Sequence, residues 1–238
     1  MNHQLTAFID DLRAAHGPNL VAVILYGSAA AGDHDHRRSD YNLLVVLDAI
    51  GPEDLRNAHA AVREWAKLGH SVPVYFTATE VEHATDVFPI EFHQMKRARK
   101  VLYGRDVLAE LEISNENLRH QVEFELRSKL IMLRRQYIPA SATVEGLESL
   151  MSESLVSFIA LFRGVLMIMG SEPPIDRHGT LALTVEKLNL NGRPFETIYN
   201  IRQNNLGAAM TDVEANRLFA DYMHELERVI EAVDGMAS

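Results

Sequence analysis

Hydrophobic and polar positions follow two different patterns along this chain of 238 residues. In the first part, residues 21–25 and 43–47 are apolar runs with the length and β-branched content of buried strands. A third short run, 71–76, contains Pro73, which favours an edge strand or the start of a strand. Helical spacing of apolar residues around these runs, at 5–15, 52–68 and 89–100, predicts an α+β unit.

From about residue 114 onward the pattern is helical throughout. Apolar residues recur at helical spacing in five segments, 116–137, 143–169, 180–190, 195–205 and 212–233. Short connections between helices favour antiparallel packing, so these segments predict an all-helical bundle. The sequence therefore predicts two domains, an α/β domain at 1–112 and a helical bundle domain at 113–238.

Candidate chemistry is concentrated between the first two predicted strands. The first strand ends in Gly27 and Ser28, whose small side chains leave backbone N–H groups accessible to a phosphate. Asp40 and Asn42 precede the second strand, and the two-residue alternation of strand side chains places them on one face. A phosphate-binding turn that faces a metal-binding carboxylate is the minimum set of groups needed for metal-assisted phosphoryl or nucleotidyl transfer.

Two short motifs carry a family resemblance. Residues 26–28 read Tyr-Gly-Ser, and residues 40–43 read Asp-Tyr-Asn-Leu after an interval of eleven residues. This arrangement resembles the signature of the nucleotidyltransferase superfamily, the polymerase-beta-like group. The resemblance implies a mixed sheet flanked by helices and followed by a helical bundle. It also implies Mg²⁺ as cofactor and a nucleoside triphosphate as substrate or ligand, with Gly27 and Ser28 holding the triphosphate.

One position departs from the family pattern. Members place a second carboxylate where this chain has Asn42, and a third on a neighbouring strand, whereas residues 71–76 contain no acid. An amide oxygen ligates Mg²⁺ without supplying charge, and it cannot act as a base. Asp40 is thus the predicted catalytic residue, and Asp40 with Asn42 is the predicted metal set. Glu80, Asp86 and Glu91 follow the third strand and are the acids from which a further ligand would have to come.

Basic residues near this site have two interpretations. Arg38 is a predicted nucleotide contact, although Arg37 and Arg38 are also explained as surface charge paired with nearby acids. His34 and His36 alternate with acids in the same loop, which suits a transition metal or simply a solvated loop. A second basic run, at residues 96–100, is interpreted as cations placed favourably at a helix C-terminus.

Composition narrows the class of partner. The formal net charge is −10 at pH 7, so long nucleic acid held by phosphate neutralisation is not expected, while small nucleotides with magnesium remain compatible. The chain has no cysteine, which excludes disulfide and thiolate chemistry. The N-terminus lacks the pattern of a secretory signal, and the apolar run 155–169 is short for a bilayer and contains Arg163. We therefore expect a cytoplasmic protein that does not bind membranes.

Three functions are compatible with the sequence. The first is a nucleotide-binding protein with a degraded metal site and weak or no catalysis, in effect a pseudoenzyme. The second is active transfer of a nucleoside monophosphate to a small-molecule or protein acceptor, as in aminoglycoside adenylyltransferases. The third is a helical interaction protein such as a toxin–antitoxin component. Nucleotide binding separates the first two from the third, and transfer separates the first from the second.

Overall fold

The chain folds into two compact units. The computed structural model describes residues 3–31, 41–203 and 209–236. Unit 1 comprises Met1–Ser114, and unit 2 comprises Asn115–Ser238. Each unit has its own secondary structure and its own buried core.

Unit 1 is built on a four-stranded mixed sheet with the strand order β3-β2-β1-β4. β1 is antiparallel to both β2 and β4, whereas β2 and β3 run parallel. The predicted strands are thus confirmed, and β3 lies at an edge and begins directly after Pro73, as a residue without an N–H requires. The strands are β1 Leu20–Tyr26, β2 Asn42–Leu47, β3 Val74–Thr77 and β4 Arg99–Gly104.

Six helices accompany the sheet in the described part of unit 1. They are α1 His3–His16, α2 Ser28–Ala31, α3 Pro52–Asn57, α4 His59–Lys67, α5 Ala78–His83 and α6 Pro89–Arg97. The single helix predicted over 52–68 is wrong, because the chain forms two helices that meet at Ala58. Residues 107–110, before the second unit, form turns. The basic residues 99 and 100 belong to β4 instead of extending the preceding helix.

The sheet is covered on both faces. One face packs against α1 and α4 through residues such as Val23, Leu43, Val45 and Trp65. The opposite face packs against α5 and α6 through residues that include Ile24, Leu44, Val46, Val81 and Phe92. Two covered faces explain why β1 and β2 read as continuous apolar runs instead of alternating ones.

Unit 2 contains helices only among its described residues. They are α7 Asn115–Ala140, α8 Val144–Ile168, α9 Arg177–Lys187, α10 Arg193–Arg202 and α11 Asp212–Gly235. α8 packs against the other four and supplies much of the core. Gly164 permits the close approach of α7, because a Cβ there would lie 2.6 Å from a methyl carbon of Val122.

α8 is long and apolar enough, by length and composition, to cross a membrane. However, 61% of its most apolar window is buried inside the fold. That burial is what the central helix of a bundle requires, since its neighbours surround it on several sides. The apolar character of α8 is therefore explained by the core of unit 2.

Candidate functional site

The predicted phosphate turn follows β1 directly. Gly27 adopts a φ of +78°, a left-handed conformation that L side chains rarely adopt. Its N–H donates a hydrogen bond to the carbonyl oxygen of Ala98 at 3.0 Å, and its carbonyl accepts one from the N–H of Ala30 at 3.0 Å. Gly27 therefore shapes the turn and attaches it to the start of β4. Because this amide is already bonded within the fold, Gly27 does not supply a free N–H to a ligand.

Ser28 is the first residue of α2. The first amides of a helix have no acceptor within the helix, and of those after Gly27 the N–H of Ala30 donates to the Gly27 carbonyl. The side chain of Ser28 lies outside what the structure describes. Its predicted contact with a triphosphate stays a prediction.

Asn42 begins β2 and lies opposite Tyr26, the last residue of β1. Its side-chain nitrogen is 3.3 Å from the position that a Cβ on Gly27 would occupy. Leu44, two residues further along β2, packs on the α5–α6 face of the sheet, so Asn42 shares that face at its open end. The structure thus brings together two of the predicted site residues, Gly27 and Asn42.

Two other predicted site residues, Arg38 and Asp40, fall within 32–40, outside the described residues. Their roles as nucleotide contact and as catalytic metal ligand stay predictions. The described residue that follows them is Tyr41, which is buried against Trp65.

Two valines, Val72 just before β3 and Val74 at its start, occupy positions where a metal site would need acids. β3 pairs with β2 in the register Leu44 to Val74, so Val74 lies on the same face as Asn42. Val74 is 38% exposed and Val72 is 63% exposed, so this apolar surface is open to solvent. Neither side chain can ligate a metal ion or accept a proton.

Glu80, one of the acids proposed for the missing ligand, has a structural role. Its carboxylate accepts the Thr77 N–H at 2.7 Å, while the Thr77 hydroxyl accepts the Glu80 N–H at 3.1 Å. This reciprocal pair is a capping box that starts α5, with Thr77 as the N-cap. The carboxylate of Glu80 is consequently held at the N-terminus of α5.

The basic run at 96–100 lies beside the turn, because Ala98 in its centre accepts the Gly27 amide. Arg99 pairs with Tyr26 across β1 and β4, which places it in the same row as Asn42. Its guanidinium contacts the carboxylate of Asp106 through two nitrogens, Nε and Nη2, each at 2.9 Å from Oδ2. Sequence reasoning missed this proximity, since only the pairing of β4 with β1 brings the run to Gly27.

Tyr26 completes the row at this end of the sheet. It is half-buried, and burial raises the pKa of its hydroxyl above the ordinary value. The hydroxyl therefore stays protonated at neutral pH and is available as a hydrogen-bond donor. The described site consists of a glycine turn, an amide, a phenol and a cluster of cations.

A metal ion does not fit the described donor set. Among residues 3–31, 41–203 and 209–236, no group of three or more histidine, cysteine, aspartate or glutamate side chains is placed to hold one. Magnesium takes hard oxygen ligands and is usually held by one or two carboxylates together with substrate phosphates. At this end of the sheet the described residues offer the amide of Asn42 and the apolar side chain of Val74, while the carboxylate of Asp106 is paired with Arg99.

A solved structure resembles this chain along nearly its whole length. The spectinomycin adenyltransferase from Enterococcus faecialis, solved with ATP and spectinomycin, covers 95% of this chain and 98% of its own, with a TM-score of 0.58 and 15% sequence identity. The chain has the nucleotidyltransferase fold. This confirms the fold that the two sequence motifs predict, and at this identity the likeness shows the fold alone.

The other comparisons add no argument about function. A toxin–antitoxin structure with AMP-PNP covers 42% of this chain and 73% of that chain at 22% identity, but its TM-score of 0.30 is too low to support an inference. No protein-family model matches the chain, and no curated protein matches it significantly. Function must therefore be argued from the site itself.

Proposed function

We propose that this chain is a nucleotide-binding protein of the nucleotidyltransferase fold with an incomplete metal site and weak or no transfer activity. The nucleotide binds at the open end of the sheet, with its phosphates beside the turn at Gly27. The observation that carries the proposal is the position of Asn42, whose side-chain nitrogen lies against Gly27 where the superfamily pattern has a carboxylate. An amide there contacts a phosphate but gives magnesium no charge.

The surroundings of Asn42 support the same function. Val74 begins β3 on the face of Asn42, Val72 just before the strand is also apolar, and Glu80 is engaged in a helix cap. Two metal ions clamp the attacking and leaving oxygens in the reaction of this superfamily, and each ion needs anionic ligands. With Asp40 as the remaining acid of the motif, nucleotide binding is retained while the transfer step is slowed or lost.

The test combines a binding measurement with a transfer measurement. Calorimetry of the full chain with ATP is expected to show binding of one nucleotide per chain. A screen with NTPs labelled at the α-phosphate, against small-molecule and protein acceptors, is expected to show no transfer above the uncatalysed rate. Asn42→Asp restores the acid of the motif and is expected to increase magnesium-dependent binding. Absence of any nucleotide binding would overturn the proposal.

Active nucleotidyl transfer to a small-molecule acceptor is the second candidate. It is favoured by the extent of the structural match, which includes both units and involves an enzyme solved with ATP and spectinomycin. In that case Asp40 and Asn42 hold Mg²⁺ together with the nucleotide phosphates. Label transfer to spectinomycin or a related acceptor that disappears in Asp40→Ala would favour this second function over the first.

A further inference from the structure

The apolar side chains that stay exposed in unit 1 are concentrated at one corner of the sheet. The large apolar side chains exposed among the described residues of unit 1 are Leu55, Leu68, Val72, Val74, Val87 and Phe88. The last four belong to two short stretches, one at the start of β3 and one just before α6. Single exposed apolar residues are ordinary on a protein surface, whereas a contiguous group marks a place where another molecule binds.

A ring contact joins the two stretches into one surface. Val74 and Phe76 lie on the same face of β3, because strand side chains alternate. The ring of Phe76 meets the ring of Phe88 edge to face, with 6.5 Å between their centroids. Val87 is 59% exposed and Phe88 is 42% exposed, at the edge strand of the described sheet. We call Val72, Val74, Val87 and Phe88 the corner patch.

Acidic residues border the corner patch. The exposed acids of this part of the chain are Glu80, Glu82, Asp86 and Glu91. Asp86 directly precedes Val87. Glu91 lies three residues after Phe88, in the first turn of α6, so the two side chains are neighbours on the helix surface. Residues 68–95 contain no lysine or arginine, so this stretch supplies no strong cation to balance its acids.

The charge of this border is not neutralised by ion pairs. Glu82 and Asp86 form no ion pair with any other described residue. Glu80 accepts a backbone N–H in the cap of α5, which leaves its negative charge in place. The exposed apolar residue Ile131 on α7 has different surroundings, because two arginines lie one helical turn away from it and pair with acids of α11. The corner patch is therefore an apolar surface with a negatively charged border.

Charge decides which kind of partner fits this surface. In a two-fold dimer the same patch lies on both subunits, so a second copy would bring acid against acid. Nucleic acids and anionic membranes are repelled for the same reason. A protein segment with apolar side chains between lysines or arginines covers the patch and pairs with its border at the same time.

We propose that the corner patch is a docking surface for a basic amphipathic segment of a partner protein. Apolar side chains of that segment cover the patch, and its lysines or arginines lie against Asp86 and Glu91. Val74 is on the same face of the sheet as Asn42, so the partner docks beside the proposed nucleotide site. The inference does not require nucleotide binding, which is tested separately.

The test measures the binding of three labelled synthetic peptides to the full chain by fluorescence anisotropy. The first is an amphipathic peptide of leucine and lysine, the second has glutamate in place of each lysine, and the third has serine in place of each leucine. We expect the leucine–lysine peptide to bind about tenfold more tightly than the others, because only this peptide supplies both apolar and positive groups. Its affinity should fall as KCl is raised, since part of the attraction is between exposed charges.

Val87→Ser removes a valine from the patch, and Ile131→Ser is its matched control. The two side chains are exposed to nearly the same extent, 59% and 57%, but Ile131 belongs to α7 of the other unit. Val87→Ser should weaken binding of the leucine–lysine peptide by about fivefold, the size expected when most of one valine side chain is no longer buried. Ile131→Ser should leave that binding unchanged.

Asp86→Lys and Asp221→Lys form a second matched pair. Both positions are exposed acids, and both substitutions change the net charge of the chain by the same amount. Asp86→Lys should weaken binding of the leucine–lysine peptide by about fivefold, because Asp86 borders the patch. Asp221→Lys, on α11, should have a much smaller effect because it changes only the overall charge.

Each result supports or overturns the proposal. If the leucine–lysine peptide does not bind, or binds no better than the peptide with serine, the inference is wrong. Equal effects within either matched pair would mean that the peptide binds elsewhere, which also overturns it. Sedimentation velocity tests the alternative occupant, because an oligomer that Val87→Ser dissociates would show that a second copy covers the patch. Thermal unfolding of the four variants, expected to match the wild type, excludes a folding defect, and calorimetry with ATP tests the proposed function independently of these outcomes.

Discussion

The contact between Gly27 and Asn42 can be measured through the stability of unit 1. Gly27→Ala adds a methyl group at a φ of +78° and places it 3.3 Å from the Asn42 side-chain nitrogen. The left-handed backbone costs an alanine roughly 1–2 kcal/mol, of which the reduced entropy of the unfolded chain returns about 0.4–1 kcal/mol. Moving the Asn42 side chain off its rotamer adds about 0.5–1.5 kcal/mol.

Gly69→Ala is the matched control for the backbone cost. Gly69 has a φ of +87°, and a Cβ there would meet nothing within 4 Å. The two substitutions therefore share the conformational cost and differ in the contact with Asn42. We expect Gly27→Ala to lower the free energy of unfolding by about 0.5–1.5 kcal/mol more than Gly69→Ala does. In an Asn42→Ala background the excess should disappear.

Urea unfolding followed by tryptophan fluorescence is the appropriate assay. The chain has one tryptophan, Trp65, which is buried in the core of unit 1 and stacks on Phe8. Its emission therefore reports the unfolding of the unit that contains the site. Equal effects of Gly27→Ala and Gly69→Ala, or an excess that persists in the Asn42→Ala background, would show that Asn42 does not pack against the turn.

Two further predictions use the same fluorescence assay. Gly104→Ala should destabilise unit 1 by roughly 3–5 kcal/mol. Gly104 has a φ of +73°, and a Cβ on it would lie 1.9 Å from the backbone oxygen of Val21. A loss below about 1 kcal/mol would contradict the pairing of β4 with β1. Burial lowers the pKa of His16 below the ordinary value for histidine, about 6.5, so the unfolded state binds the proton more readily and unit 1 should lose stability as the pH falls below about 6.5. His16→Gln should flatten this dependence, and His59→Gln, at an exposed position, should not.

The sequence predicted the elements whose signals are local. β1 and β2 are recognisable because a strand covered on both faces is a continuous apolar run. The turn at Gly27 is at the predicted place, but glycine is needed there for its left-handed backbone, since its N–H is bonded to Ala98. The start of α5 is less certain from residue type, because Thr77 and Thr79 are both acceptable N-caps. The position of Glu80 three residues after Thr77 decides between them through the capping box.

Features that depend on strand pairing were not predictable in the same way. Composition shows that residues 71–76 contain no acid, but the register of β3 against β2 determines that Val74 lies on the face of Asn42. A shift of one residue would have reversed that assignment. The sequence alone shows that residues 71–76 contain no acid. The structure is needed to show that Val74 is the residue of this run that lies on the face of Asn42.

The position of the basic run at 96–100 also depends on strand pairing and could not be predicted from the sequence. Cations that complement the C-terminus of a helix and cations that bind phosphate have the same composition, so their spacing along the chain does not distinguish them. The decisive fact is that the Gly27 amide binds the carbonyl of Ala98, a contact between residues 71 positions apart that follows from β4 pairing with β1. Once that contact is known, Arg99 shares a row of the sheet with Tyr26 and Asn42, whereas Lys100, opposite Leu25, belongs to the face that packs against α1 and α4. The register of β4 therefore separates a cation on the face of Asn42 from one on the opposite face, a distinction that composition alone does not make.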